Sequence, residues 1–186
     1  AIKVEGDVTI TGGDNKLSAS SGKGLICDGT ITLGRENGSI NDFVLSISAG
    51  SRDGEKYVIP GNTIEMERTK YHGYPKGIRS GKSIVINSGT IDIYAFDTGI
   101  LAPEIKINGG DIESTNNTAI TGGSTVVVTN GTVKSDLGRA IDISGTVTVN
   151  GGTVDGKTLA ISTGTFNISS GSVISDGSGV SATTSI

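Results

Sequence analysis

The chain has 186 residues, the length of about one domain, with 30 glycines, a single cysteine and a net charge of −4. Its 24 isoleucines and 14 valines against 7 leucines and one methionine argue against a helical bundle. The glycines lack the three-residue period of collagen, and one cysteine permits neither an internal disulfide nor a cysteine zinc site. No apolar run reaches the ~18 residues of a membrane span, and the mild acidity argues against nucleic acid as the main partner.

In chain order one short pattern recurs: polar, apolar, any, apolar, then a turn rich in Asn and Gly. The apolar pairs are Val8/Ile10, Ile31/Leu33, Ile64/Met66, Ile84/Ile86, Ile105/Ile107, Val126/Val128, Val147/Val149 and Phe166/Ile168. First members are separated by 23, 33, 20, 21, 21, 21 and 19 residues. A second apolar row precedes the pairs (Leu25, Val58, Ile78, Ile100, Ile120, Ile141, Ile161). A third follows them (Ile91, Ile112, Val133, Val154, Val173). Each unit therefore holds three short strands, with alternate residues inward. Turns such as Asn87-Ser88-Gly89, Asn108-Gly109-Gly110 and Asn150-Gly151-Gly152 supply the residues that tolerate positive φ.

Strands this short bury their edges only by stacking unit on unit, at about 4.8 Å. The expected fold is all-β: a right-handed, three-faced parallel β-helix of about eight coils of ~21 residues, with the hand taken from the crossover rule. Stacked Asn side chains are expected to hydrogen-bond along the rod. The chain reads as one domain, 1–186, with a loop insertion within 34–55 and an incomplete coil from 179. End-to-end self-association, or an adjoining domain, is the expected cover for that end.

Chemistry-bearing residues concentrate beyond the insertion. Tyr57, Tyr71, His72 and Tyr74 lie within eighteen residues, and Tyr94 and Phe96 follow one coil later. From Arg68 to Gly89 there are five basic residues (Arg68, Lys70, Lys76, Arg79, Lys82) and no carboxylate. Aromatic rings stack on the C–H faces of sugars, and Arg and Lys pair with carboxylates. The predicted ligand-binding set is Tyr57, Arg68, Lys70, His72, Tyr74, Lys76, Arg79, Tyr94 and Phe96, with an anionic polysaccharide as the partner. Cys27 reads as a buried thiol. Outward Thr-x-Thr pairs at Thr30/Thr32 and Thr146/Thr148 are too few for a regular ice-binding face.

The units Lys76-Gly77-Ile78-Arg79-Ser80 and Ser83-Ile84-Val85-Ile86-Asn87-Ser88-Gly89-Thr90-Ile91-Asp92-Ile93 resemble those of bacterial extracellular carbohydrate-binding-domain proteins, which are polysaccharide-lyase-like right-handed β-helices. The likeness runs from about Val8 to Ser175. It implies a secreted or surface protein, its signal peptide absent from this chain, that binds cellulose or pectic acid. It also implies calcium held by acidic turns. This chain departs there: Asp97-Thr98-Gly99 keeps one Asp, Asn117 replaces another, and Lys23 and Lys76 stand before Gly24 and Gly77. Asp97 and Asn117 are the metal candidates left. Two other readings stand beside the binding module. One is a structural or adhesive rod of stacked coils. The other is a polysaccharide lyase, with one of Lys70, Lys76 and Lys82 as base and Arg79 stabilising the enolate.

Overall fold

The computed structural model describes residues 2–19, 23–49, 57–58, 65–66, 76–95, 97–115 and 118–185, with the backbone alone at 57–58, 65–66 and 185. Among these the chain is all strand, bend and turn, with no helix. Coil one is β1 (Ile2–Val4), β2 (Val8–Ile10) and β3 (Gly13–Ala19). Coil two is β4 (Leu25–Cys27), β5 (Ile31–Leu33) and β6 (Phe43–Ala49). A two-stranded antiparallel pair follows, β7 (Tyr57–Val58) with β8 (Glu65–Met66). Coil three is β9 (Lys76–Ser80), β10 (Ser83–Ile86) and β11 (Thr90–Ala95). Coil four is β12 (Thr98–Ile107) and β13 (Asp111–Ser114), and coil five is β14 (Thr118–Val128) and β15 (Thr132–Ser135). Coil six is β16 (Arg139–Ile143), β17 (Thr146–Val149) and β18 (Thr153–Gly156). Coil seven is β19 (Leu159–Ile168) and β20 (Ser172–Ser175), and β21 (Ser178–Ser185) begins another turn. Outside the β7–β8 pair every pairing is parallel and runs to the equivalent strand of the next coil. The described residues thus form a β-solenoid of seven coils, one fewer than the sequence spacing predicts.

The missing coil is the one built on Ile64 and Met66. Ile84 lies in register with Ile31, and Val85 with Thr32. Leu25 likewise sits on Ile78 rather than on Val58. Thr30 Oγ1 and Ser83 Oγ share a 3.1 Å hydrogen bond across 53 residues. Ile64 and Ile59 lie outside the described residues, and Glu65–Met66 pairs antiparallel with Tyr57–Val58. The physical reason is legible afterwards: Ile64-x-Met66 has the apolar alternation but is followed by Glu67 and Arg68 instead of a Gly-bearing turn. The excess chain falls in two places. Between β5 and β6 the connection is residues 34–42, against 87–89 between β10 and β11, and residues 50–75 separate β6 from β9 apart from the β7–β8 pair.

Inward residues form continuous columns. Val8, Ile31, Ile84, Ile105, Val126, Val147 and Phe166 stack one upon another. Ile31, Ile84, Ile105 and Val147 have no exposed surface. Each such side chain contributes about 1.5–3 kcal/mol through burial. The corner after the middle strand carries the expected amide ladder: Asn108 Nδ2 donates to Asn87 Oδ1 at 2.9 Å, and Ser169 Oγ donates to Asn150 Oδ1 at 3.0 Å. Just past it a glycine adopts positive φ in each regular coil: Gly89, Gly110, Gly131, Gly152 and Gly171, between 76° and 99°.

A second corner shows matched volumes. A Cβ on Gly77 would collide with Ile93 Cγ2 and stand 2.7 Å from Gly99 O. In the coils above, the residue stacked on Ile93 becomes Ser114 and then Ser135. The corner residue in the coil of Ser114 is Gly99, where an added Cβ would stand 3.2 Å from Ser114 Oγ, and in the coil of Ser135 it is Ala119, which has no exposed surface. The large inward residues Ile47 and Ile93 are thus offset by the corner glycines Gly24 and Gly77, and beside the small Ser135 an alanine fits.

Candidate binding ridge

The first sheet face presents one outward residue per coil: Lys3, Ile26, Arg79, Leu101, Thr121 and Asp142, in register. Arg79, the fourth residue of β9, is exposed. Lys23 and Lys76 flank it at the corner where the chain enters this face, joined by the Gly24 N–H, which donates to Lys76 O at 3.1 Å. Burial, then the nearby Arg79 and Lys76 charges, hold the Lys23 ammonium below its usual pKa of 10.5. Lys82 is exposed on the turn that follows β9. That turn is pinned at Ser80, whose Oγ donates to Gly29 O at 2.6 Å and accepts from the Lys82 N–H at 3.0 Å. The result is a cationic ridge spanning coils two and three: Lys23, Lys76, Arg79 and Lys82.

Lys76 is also engaged along the rod: its Nζ lies 2.7 Å from Asp97 Oδ2 in the next coil. Further on, Arg139 Nη1 pairs with Asp142 Oδ2 at 2.6 Å. Of the predicted binding residues, the structure brings Lys76 and Arg79 together. Tyr94 lies on β11, in the seven-stranded sheet rather than in the sheet that carries Arg79, and only 9% of it is exposed. Arg68, Lys70, His72, Tyr74 and Phe96 lie outside the described residues, as does Asn117, and Tyr57 is described in backbone alone. Lys23 was not among the predicted ligand residues. The signal that points to it is its place directly before Gly24, which matches Lys76 before Gly77.

The third face is mainly acidic. Lys134 bridges Glu113 at 2.7 Å and Asp136 at 2.8 Å, and Lys157 pairs with Asp176. Both lysines hold their protons more tightly for it, through hydrogen bonds to those carboxylates. Among the described residues Asp92 has no such partner, and it stacks in register on Glu113. Partial burial, then the Glu113 charge, push the Asp92 carboxyl above its ordinary 3.8. A carboxyl whose pKa rises on folding loses its proton first in the unfolded chain. Its contribution is therefore fully present below about pH 4 and is lost as pH rises through the folded value. Asp92→Asn is expected to raise the melting temperature at pH 7 and to leave it unchanged near pH 3. Thermal melts at the two pH values check this.

Among the described residues no group of three or more His, Cys, Asp or Glu is placed to hold a metal. Cys27 is buried, its thiol 3.1 Å from Gly6 O.

A parallel β-solenoid with a cationic ridge on one sheet defines the class of protein. A family model described as carbohydrate-binding domain-containing protein matches residues 1–119, which includes the whole ridge, and the chain belongs to that family. No curated protein and no solved structure matches the chain.

Proposed function

We propose that this protein binds an acidic plant cell-wall polysaccharide outside the cell, and does so without turning it over. The supporting observation is geometric: Lys23 and Lys76 enter the same face one above the other, the Gly24 N–H donating to Lys76 O at 3.1 Å, beside the exposed Arg79, in a chain of net charge −4. Lys76 is held by Asp97 in the next coil, which leaves Lys23, Arg79 and Lys82 as the ridge charges that a further anion would meet. A uronate carboxylate suits them, because Arg79 can meet its two oxygens with two parallel N–H groups while the lysines act as point charges. Coils are spaced ~4.8 Å apart, so a chain lying along the rod brings successive sugars past Lys23 and Arg79 in successive coils. Tyr57, Tyr74 and Phe96 as ring-stacking residues, and Arg68, Lys70 and His72 as further polar contacts, are carried into this proposal from the sequence alone. Membership of a carbohydrate-binding family supports the reading.

The test is retention on polygalacturonate against a neutral glycan, with salt titration. Each charge-assisted hydrogen bond contributes about 1.5–3 kcal/mol, so Arg79→Ala is expected to weaken binding roughly tenfold or more, and Lys23→Ala to add to it. Binding should fall with salt. Equal retention of the Lys23→Ala/Arg79→Ala double variant, or appearance of unsaturated sugar product, would contradict the proposal.

A further inference from the structure

Calcium is the ion implied by the acidic turns of the resembling proteins, and Asp97 is the carboxylate of this chain that stands in such a turn. The residues present do not fit that ion. Asp97 Oδ2 is 2.7 Å from Lys76 Nζ and 3.4 Å from Thr98 Oγ1. Both charged side chains are largely covered, the lysine 18% exposed and the aspartate 33%. Calcium takes six to eight oxygens, usually with several carboxylates. Among the described residues the charged group paired with Asp97 is the Lys76 ammonium, and Lys76 in turn lies near the cationic Lys23. An ion on Asp97 would displace the ammonium and leave it half-buried beside a divalent charge.

We infer that the Lys76 ammonium is the built-in cation of this corner, tying coil three to coil four through Asp97 in the place of a metal. The tie crosses from β9 to the residue just before β12. It therefore fastens the first coil after the 50–75 connection to the regular stack above it. A cation attached by four methylenes cannot be removed by a chelator, so the corner stays closed in calcium-poor surroundings. This inference does not depend on the polysaccharide reading.

The test uses the whole chain and reads thermal melting with millimolar calcium chloride or with a chelator, for the wild type, Asp97→Asn, Lys76→Met and Lys76→Arg. The calcium-dependent shift is expected to be the same in wild type and Asp97→Asn, because no calcium sits on Asp97. Lys76→Met is expected to melt about 2–4 °C lower, as loss of a partly covered ion pair in a domain of this size implies, and Lys76→Arg to restore most of that. A stabilising calcium shift present in the wild type and absent from Asp97→Asn would overturn the inference. So would a Lys76→Met protein that melts with the wild type. If Lys76→Met does not fold, the comparison of wild type with Asp97→Asn still decides.

Discussion

Gly152→Val is expected to destabilise the protein by about 2–6 kcal/mol, from backbone strain at a left-handed position together with overpacking. Gly152 has φ +76, and a Cβ there would lie 2.5 Å from Gly131 O and 2.9 Å from Asn130 C, both backbone atoms of the coil below. Neither can move without shifting the turn on which the next coil rests. Thr153 N donates to Gly131 O at 2.8 Å, so the same carbonyl is the hydrogen-bond acceptor of the ladder. The change should lower the melting temperature by roughly 4–24 °C, at about 2–4 °C per kcal/mol for a chain this long. Thr148→Val is the control. Thr148 is an outward, half-buried strand position flanked in register by Val127 and Asn167, and a β-branched replacement there should stay within about 1 kcal/mol.

Ile84→Ala is the second large effect. Ile84 has no exposed surface and lies between Ile31 and Ile105 in the same column. Removing three carbons from a column with close-packed neighbours above and below leaves a cavity that the coils cannot close without losing their register. Such truncations cost about 2–5 kcal/mol, which chemical denaturation reads as a lower midpoint at unchanged slope. An Ile84→Ala protein with wild-type stability would place Ile84 outside the core.

The regular half of the rod was legible from spacing alone. From Ile84 onward each coil advances about 21 residues, each strand alternates, and each turn carries its glycine, so local and long-range signals agree. The amide ladder at Asn87 and Asn108 followed from the same period. The strands of coils two and three were legible as well, but their direct stacking on one another was not. A two-residue apolar alternation at Ile64 and Met66 satisfied the pattern, and nothing in a one-dimensional spacing distinguishes a coil from a strand pair in a long connection. Only the register of Ile31 on Ile84 does. The same limitation hid Lys23. A basic run read along the chain, from Arg68 to Lys82, is contiguous in sequence, whereas the ridge is contiguous in space and draws Lys23 from the coil below. Tyr94 stands out in the sequence for its place one coil after Tyr71–Tyr74; its 9% exposure depends on packing that no spacing rule contains.

The stacking of coil three directly on coil two is the claim on which the ridge, the core column and the Lys76 tie all rest. Paired cysteines at Thr32 and Val85 test it most directly. The two positions face outward in register on adjacent parallel strands, at a strand spacing of about 4.8 Å that lies within disulfide reach. Native Cys27 stays buried and out of the reaction. Mild oxidation is expected to join Thr32→Cys to Val85→Cys in the folded protein, while Thr32→Cys with Glu65→Cys, the pair that the one-dimensional spacing brings together, stays reduced. Efficient bridging of the second pair and not the first would contradict the account.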